Sequence, residues 1–457
     1  MTNEPRGIKV NTPAALAGYT LIAPLQGKTV NLVDHDGHVV HRWKTEFKPG
    51  CEYFLQNGHL LRCSQQPEAP RFKAGGQCGR IQEFDWDGNV VWDYTWSTDE
   101  HLQHHDLEPT PHGTVLFISY EYKSRADAVA AGRHPAYVGE EGMWAEAIFE
   151  VEPTYPSGGE IIWEWHVWDH LIQDIDPDAE NYGNVAEHPE LLDINVDIRQ
   201  PQPGAKEVEE MKALGYIDAT PSSGQLHADW LHVNAIDYHP GLDQIAISTP
   251  HLSEVFILDH STTGDEATGH DGGLSNQGGD FLWRWGNPAN YGAGSAADRQ
   301  LWSQHDVRWV LDGFPGAGHL TIFNNRVPGP AGDHSEIFEL ALPRAADGSF
   351  GLEPFVAAGP AQPAWRYASP DPKEFFSSFI SGAHRVQNGN TVICEGHKGR
   401  IFEVTPDGTI AWDLLSPFGE IDPTGQSGPL LPYSLFRATR IAADHPGLKG
   451  KRLVPLE

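Results

Sequence analysis

Short runs that alternate apolar and polar residues recur along the whole chain, and six of them carry a tryptophan at the same place. The six tryptophans are Trp43, Trp92, Trp163, Trp283, Trp365 and Trp412. A second alternating run precedes each tryptophan run, and the best copies are joined by turns such as Asp87-Gly88 and Asp407-Gly408. Alternation with a period of two predicts half-buried β-strands, and the turns predict hairpins.

The repeat predicts an all-β fold. A further element lies between one tryptophan run and the next alternating run, so each unit has the pattern of a four-stranded antiparallel sheet. Six such units predict a six-bladed β-propeller that occupies residues 1–457 as a single domain. A β-helix is disfavoured by the long, unequal spacing, and tandem sandwiches are disfavoured because no linkers separate the copies. The terminal runs 18–25 and 434–444 are predicted to complete one shared blade and close the ring.

Two insertions interrupt the repeat. Residues 169–224 are acidic, irregular and partly helical, and 206–215 has the best helical pattern. Long insertions in compact domains tend to be lids or binding loops. We expect either a lid over the central channel or a surface excursion without a role in binding. The glycine-rich stretch 261–280 predicts a flexible hairpin tip.

Composition narrows the choice of partners. The formal net charge of −32 would repel nucleic acid and anionic membrane surfaces, so neither is expected as a partner. A small anionic substrate remains compatible with an acidic protein, because a pocket can be locally positive. The chain shows no run of 18 apolar residues and no pattern of a secretory leader, so we expect a cytoplasmic protein without a membrane span. The four cysteines show no CxxC spacing and are expected to be free, buried thiols.

Three histidines occupy the same place in the repeat when the innermost strands are aligned on their turn glycines. They are His105, eight residues before Gly113, His232, nine before Gly241, and His305, eight before Gly313. Innermost strands of a propeller start around one mouth of the central channel, so we expect the three imidazoles to converge there. The corresponding positions in other copies hold Gly50 and Ser381.

Further polar residues accompany these histidines and are predicted to contribute to the same mouth. Arg326 and Asn325 end the strand pattern of the blade that contains His305, and His384 follows Ser381 by three residues. Alternate strand residues face opposite ways, so His384 reaches the channel only if the segment before it is not regular strand. His105, Asn234, Asn325 and Asp306 are the residues predicted to bind the substrate.

These residues support two chemistries. Neutral imidazoles with a guanidinium suit transfer of a sulfuryl or phosphoryl group, in which one histidine attacks, an arginine holds the anionic oxygens and a second histidine protonates the leaving phenolate. Alternatively, His105, His232 and His305 are a plausible divalent-metal site, because three protein ligands with one open position are the pattern of catalytic zinc. The residues alone do not separate these alternatives.

The segments LHVNAIDY (231–238) and QHD (304–306), with GHLTIFNN and the FISGAHRV region, resemble the bacterial arylsulfotransferase family over residues 30–440. The resemblance implies a six-bladed propeller that transfers a sulfuryl group from an aryl sulfate to a phenol through a sulfo-histidine, without a nucleotide donor. It implies that His232 and His305 contact donor and acceptor, and that Arg326 holds the sulfate. The nearest candidate for the covalent histidine is His384.

Three hypotheses follow for the function. The first is an arylsulfotransferase-like enzyme that acts on small phenolic or aryl sulfate compounds, needs no cofactor and uses His232, His305, His384 and Arg326 in catalysis. The second is a metal-dependent hydrolase or lyase that binds a divalent ion. The third is a non-catalytic propeller that binds a ligand or a protein at its mouth. The substrate and the oligomeric state are left open by the sequence.

Overall fold

A computed structural model describes residues 5–66, 71–200, 202, 204–214, 217, 220–221, 224–345, 348–420 and 430–456. Its strands form six antiparallel sheets with four strands each, one of which gains a fifth strand. The innermost strands of consecutive sheets contact one another in cyclic order. This arrangement is a six-bladed β-propeller, as the tryptophan repeat predicted.

The first three blades are given from the inside outward. Blade 1 contains β27 (Leu435–Ala442), β2 (Gly18–Pro24), β3 (Thr29–Val33) and β4 (Val39–Lys44). Blade 2 contains β5 (Pro49–Phe54), β6 (Leu60–Gln65), β7 (Gly79–Phe84) and β8 (Val90–Thr95). Blade 3 contains β9 (His101–Pro109), β10 (Val115–Lys123), β11 (Met143–Pro153) and β12 (Gly159–His166).

The other three blades follow the same order. Blade 4 contains β15 (Ala235–His239), β16 (Gln244–Thr249), β17 (Glu254–Asp259) and β18 (Trp283–Trp285). Blade 5 contains β19 (His305–Trp309), β20 (Leu320–Val327), β21 (His334–Leu340) and β22 (Trp365–Tyr367). Blade 6 contains β23 (Gly382–Arg385), β24 (Thr391–Glu395), β25 (Arg400–Val404), β26 (Ile410–Leu415) and the added strand β1 (Gly7–Asn11).

The ring closes through the two ends of the chain. The C-terminal strand β27 is the innermost strand of blade 1 and pairs antiparallel with the N-terminal strand β2, with Tyr19 opposite Ile441. The prediction that the two terminal runs share a blade is therefore confirmed. This pairing ties the first blade to the last part of the sequence and leaves no gap in the ring.

The six repeat tryptophans fasten each blade to the next. All six lie on the fourth strand of their blade, counted from the centre. Each indole Nε1 donates a hydrogen bond to the turn between the third and fourth strands of the following blade. The acceptors of Trp43, Trp92, Trp163, Trp283, Trp365 and Trp412 are Asp85 O, Gly158 O, Thr262 Oγ1, Gly359 O, Pro406 O and His35 O. The buried N–H groups are thereby satisfied, and the same bond is repeated around the ring.

Insertion 169–224 contains a short parallel pair, β13 (Leu171–Ile172) and β14 (Leu192–Asp193), and helix α2 (Ala205–Leu214). The other helices are α1 (Arg125–Ala130) and α3 (Gly264–Ala267). Insertion residues 201, 203, 215, 216, 218, 219, 222 and 223 lie outside the described residues. The buried side chain of Arg133 anchors the insertion by hydrogen bonds to Asp197 and to the Ile194 carbonyl. A lid role for this insertion stays a prediction.

The prediction of free, buried cysteines is confirmed. Cys51, Cys63, Cys78 and Cys394 are free and buried. In the part of the chain that the structure describes, no helix is long and apolar enough to cross a membrane.

Candidate functional site at the channel mouth

The three aligned histidines meet at one end of the central channel. His105, His232 and His305 line the same cavity of about 860 Å³, together with Gly50 and Arg326. Their predicted convergence is confirmed. The apolar part of the wall includes the rings of Phe376, Phe379 and Phe436. Among the described lining residues, three cations (Lys48, Lys206 and Arg326) accompany one carboxylate, that of Asp333.

Irregular backbone directs these histidines into the cavity. Strand β9 shifts register against β10 between the partners of Phe117 and Ser119, which places His105 in a bulge. His105 has a φ of 51° and His232 a φ of 55°, both in the left-handed region that side chains rarely adopt. Bulges commonly re-aim a side chain beside a site. Two of the three histidines that line the cavity therefore have a strained backbone.

His232 is paired with a carboxylate. Its Nδ1 donates a hydrogen bond to Asp229 Oδ2 at 2.6 Å, and the Tyr120 hydroxyl lies 3.3 Å from the same nitrogen. Burial lowers the pKa of His232, but the charge of Asp229 and its hydrogen bond outweigh this, so the pKa is raised above its usual value. The pairing leaves Nε2 as the nitrogen that carries the lone pair.

His105 is the outer end of a buried hydrogen-bonded chain. Its Nδ1 lies 2.8 Å from His104 Nδ1, and His104 Nε2 lies 2.9 Å from Glu146 Oε2. His104 stacks on Tyr120 with a centroid distance of 3.7 Å. Burial, and then the neighbouring His232, hold the pKa of both His104 and His105 well below the usual value. Burial raises the pKa of Glu146 well above its usual value.

The chain from Glu146 to His105 has two neutral arrangements of the imidazoles. With Glu146 protonated, each group donates toward the cavity, and His105 presents Nε2–H. With Glu146 ionised, every hydrogen bond runs the other way, and His105 presents a lone pair. The rings of His105 and His232 are 4.5 Å apart between centroids. A proton can therefore leave or enter the cavity beside His232 without charging a histidine.

His305 has both nitrogens occupied. Its Nδ1 lies 2.9 Å from Asn325 Oδ1, and its Nε2 accepts a hydrogen bond from the Ile380 N–H at 3.1 Å. Burial lowers the pKa of His305 to about 4. A neutral imidazole with no free nitrogen has no obvious role in proton transfer. The geometry suits His305 to holding the Phe379–Ile380 segment of the cavity wall.

Arg326 supplies the guanidinium that the sequence pattern predicted. Its Nε donates to the Ser378 carbonyl at 3.1 Å, which fixes one edge of the group on the cavity wall. Among the described residues it forms no salt bridge. His397 lines the same cavity and packs its ring 5.3 Å from that of Phe379. The cavity thus combines imidazoles, a guanidinium and aromatic surface.

Three residues predicted to bind substrate do not line the cavity. Asn234 is fully buried, and its Nδ2 donates to the Gln304 carbonyl of the next blade. Asn325 is occupied by His305 and by the Ser377 and Ile380 carbonyls. Asp306 accepts from the Ala383 N–H and from Arg308 Nε. These side chains bind other parts of the protein and do not line the cavity, so the prediction of direct substrate contact is corrected.

His384 also lies away from the cavity wall. It belongs to β23, inside the channel, and its Nε2 accepts a hydrogen bond from the Arg440 N–H at 3.2 Å. Burial lowers its pKa to about 4. The segment before it has irregular backbone, with φ values of 51° at Ile380 and 87° at Ser381. That irregularity brings Ile380, rather than His384, to the cavity, so a nucleophilic His384 does not fit the geometry.

An ionic network fills the channel beyond these residues. Arg308 donates to Asp306, Glu108, Asp237 and the Tyr53 hydroxyl, and Arg437 donates to Asp106 at 2.7 Å. These side chains come from five blades. Burial, partly offset by Arg308, raises the pKa of Asp106 to about 6. The network joins the innermost strands of these blades.

The predicted metal set His105, His232 and His305 does not bring its ligand atoms together. Two other sets among the described residues have ligand atoms within 4.8 Å of one another, and His105 and His305 belong to neither. One set is Asp229, His232 and His251 at the mouth, and the other is His170, His270 and Asp280. The metal alternative therefore needs different ligands from those that the repeat alignment indicated.

Some residues of the site were not found from the sequence. His104 stands next to His105 in the run QHHD, which was a visible clue, but Glu146 has no distinguishing pattern on its strand. His397 also lines the cavity, and the alignment of the innermost strands did not include it. Asp229 precedes the aligned His232 by three residues, and its hydrogen bond to His232 makes it part of the site.

The fold and the cavity define a six-bladed propeller with a histidine- and arginine-lined cavity at one mouth of its channel. The model of the arylsulfotransferase (ASST) family matches residues 21–413. The chain therefore belongs to the arylsulfotransferase family, and an arylsulfotransferase-like function in general follows from that membership. No curated protein matches the chain.

Three solved structures show a low level of similarity to this chain. A protein of unknown function from Bacteroides caccae is 10% identical with a TM-score of 0.46, covering 93% of this chain and 99% of that one. The Swd1 β-propeller domain from Myceliophteria thermophila is 10% identical with a TM-score of 0.39, covering 90% of each chain. Virginiamycin B lyase from Staphylococcus aureus is 10% identical with a TM-score of 0.38, covering 90% and 85%. Such similarity carries no argument about function.

Proposed function

We propose that the protein transfers a sulfuryl group from an aryl sulfate to a phenol through a covalent sulfo-histidine on His232. The observation that carries the proposal is the pair of His232 and Asp229 at a cavity that also contains Arg326 and His105. The apolar rings of the wall suit an aromatic substrate, and the three lining cations suit its anionic sulfate. No cofactor takes part in this reaction.

In the first half-reaction, the lone pair of His232 Nε2 attacks sulfur. An N–S bond forms, and the bond between sulfur and the aryl oxygen breaks with both electrons going to that oxygen. Asp229 stabilises the imidazolium that results, because it holds Nδ1–H. Arg326 offers N–H donors to the sulfuryl oxygens. The aryl oxide takes a proton from His105 Nε2, which is replaced through His104 from Glu146.

The second half-reaction is the reverse with a new phenol. The acceptor hydroxyl gives its proton to His105 Nε2, and the proton shift through His104 leaves Glu146 protonated again. The acceptor oxygen forms a bond to sulfur, and the N–S bond returns its electrons to His232 Nε2. The relay thus serves as acid in one half and as base in the other, as general acid–base catalysis requires.

A metal-dependent hydrolase or lyase is the second candidate. The observation that favours it is the set Asp229, His232 and His251 at the mouth. His251 Nδ1 donates to the Asp229 carbonyl, which leaves its Nε2 available as a ligand. Against it, the His232 and His251 rings are stacked at 4.8 Å, a poor geometry for two ligands of one ion. A divalent ion would act there as a Lewis acid on a small ligand.

The test of the proposed function is transfer from 4-nitrophenyl sulfate. We expect nitrophenolate release that depends on an added phenol and persists with a chelator, and without acceptor a peptide containing His232 that gains one sulfuryl group. Peptide mass spectrometry locates the modified residue. Release that stops with chelator and returns with a divalent ion would support the metal-dependent candidate instead. No release with any acceptor would reject the transferase.

Gly76 gives a prediction about the relay. A Cβ added to Gly76 would lie 2.3 Å from three ring atoms of His105, and Gly76 has a φ of 70°. Gly76→Ala must therefore displace the His105 imidazole from His104, and we expect transfer to fall about tenfold or more. The control is Gly113→Ala, where φ is 85° but no atom lies within 4 Å. It should lose about 1 kcal/mol of stability and keep its activity.

Equal activity of the two glycine variants would contradict the role of His105. The measurement pairs the steady-state transfer rate with a thermal melt for each variant. A loss of activity in Gly76→Ala that is matched by Gly113→Ala would reflect backbone strain alone.

A further inference from the structure

Two histidines share one buried carboxylate, and none of these three side chains lines the cavity at the channel mouth. His170 Nδ1 and His270 Nδ1 each lie 2.8 Å from Asp280 Oδ1, and His270 Nδ1 is also 3.1 Å from Oδ2. His170 is fully buried and Asp280 nearly so, whereas the side chain of His270 is 63% exposed. The cluster joins the start of the 169–224 insertion to the glycine-rich stretch 261–280.

A neutral His170 cannot donate a hydrogen bond to Asp280 in this geometry. Its Nε2 lies 2.9 Å from the Ala267 carbonyl, which can only accept, so Nε2 carries a hydrogen. A neutral His170 then directs the lone pair of Nδ1 at the lone pairs of Asp280, which is repulsive at 2.8 Å. The contact is favourable only when a positive charge lies between the two atoms.

We infer that His170, His270 and Asp280 bind one divalent transition-metal ion, with zinc the best match to the ligands. Their ligand atoms lie within 4.8 Å of one another. Two imidazole nitrogens and a carboxylate are ligands that zinc accepts, and water completes a tetrahedral shell. The Ala267 carbonyl orients His170 by accepting from the nitrogen that does not ligate, the usual support of a ligating histidine.

The ion would fasten the glycine-rich stretch to the insertion. The sequence predicts 261–280 as a flexible hairpin tip, but the structure gives it helix α3 with a Thr263–Glu266 capping box. Trp165 stacks on His170 and donates to the Gly279 carbonyl at 2.8 Å. His270 also lines a cavity of about 550 Å³ beside the insertion, which gives the site access to solvent.

The test is the metal content of the full chain. We expect about one zinc per chain after dialysis against a small excess of zinc chloride, and loss of that zinc in His270→Ala. Because the side chain of His270 is largely exposed, this variant should fold without zinc. The control is His188→Ala, which lines the same cavity but binds Glu190 and should keep its zinc. His232→Ala should also keep it.

Thermal melts provide the second readout. Zinc added to the chelated wild type should raise the melting temperature by about 3 °C or more and leave His270→Ala unchanged. Proteolysis within 261–280 should be faster without zinc. Zinc retained by His270→Ala, zinc lost from His232→Ala alone, or no stoichiometric zinc in the wild type would each overturn the inference. These measurements do not depend on transferase activity, so the two proposals fail independently.

Discussion

Replacing His232 with alanine is expected to lower the rate of sulfuryl transfer about a thousandfold or more, because it removes the attacking nitrogen. A thousandfold corresponds to about 4 kcal/mol of barrier. The fold should survive, since the histidine lies outside the regular strand β15 and its side chain is 15% exposed. The measurements are nitrophenolate release and the sulfuryl-labelled peptide, with a far-ultraviolet spectrum for the fold.

A variant that keeps more than about a tenth of the activity would place the nucleophile elsewhere. The other imidazoles on the described cavity wall are those of His105, His305 and His397. Asp229→Asn provides a finer test of the same pair. The attacking form of His232 is neutral, so activity should rise as the pH rises through its raised pKa. Without the carboxylate, that pKa falls, and the acid limb of the profile should move to lower pH while kcat drops. A purely structural role of Asp229 would lower kcat without moving the limb.

Replacing Arg308 with methionine is expected to destabilise the propeller by about 3–5 kcal/mol, because it leaves buried carboxylates without their cation. Arg308 donates to Asp306, Glu108 and Asp237, which come from three different blades, at distances of 2.9 to 3.0 Å. Its side chain is 12% exposed, so water cannot replace it fully. The measurement is the urea unfolding midpoint of wild type and variant.

The loss of unfolding free energy in Arg308→Met should increase as the pH rises. Burial, partly offset by Arg308, raises the pKa of Asp106 to about 6, and the pKa of Asp237 is likewise raised to about 6. Folded-state pKa values above the unfolded ones mean that these groups reduce stability as pH rises through the interval between them. Losing Arg308 raises these pKa values further. The variant should therefore lose more stability relative to wild type at about pH 8 than at about pH 5.

The control for this prediction is Arg80→Met. Arg80 binds Asp93 through its Nε at 2.9 Å, but the two side chains are 25% and 27% exposed. A solvent-exposed pair contributes little, so this variant should lie within about 1 kcal/mol of wild type. An equal loss in both variants, or a deficit in Arg308→Met that does not change with pH, would contradict a channel network held by charge.

The tryptophan repeat was enough to predict the propeller, because its information is local and periodic. Alternation marks each strand, and a tryptophan on the fourth strand marks each blade. The alignment of His105, His232 and His305 on turn glycines also worked, since the distance along a strand from turn to mouth is nearly constant. The blade count and the histidine alignment stay correct even when a strand register is wrong by one residue. Both depend on strand length rather than on which face of the sheet a residue occupies.

The substrate-contacting residues were harder to predict. Asn234 and Asp306 lie within two residues of the aligned histidines, yet their side chains bind the neighbouring blade. A bulge adds one residue to a strand and reverses which face the following side chains occupy. His384 was similarly misassigned, because the irregular backbone at Ile380 and Ser381 decides what reaches the cavity. The alternation of apolar and polar residues does not show where these bulges occur.

The sequence by itself determined the six blades, the closure through both termini and the meeting of three histidines at one mouth, because each depends on repeated local patterns. Only the tertiary structure decided that Asp229 pairs with His232, that His104 and Glu146 extend His105, and that His170 meets Asp280. The contacts of Asp229 with His232, of His104 with Glu146 and of His170 with Asp280 join residues 3, 42 and 110 positions apart. Their distances depend on how bulged strands and insertions pack together, and no period in the chain encodes that packing.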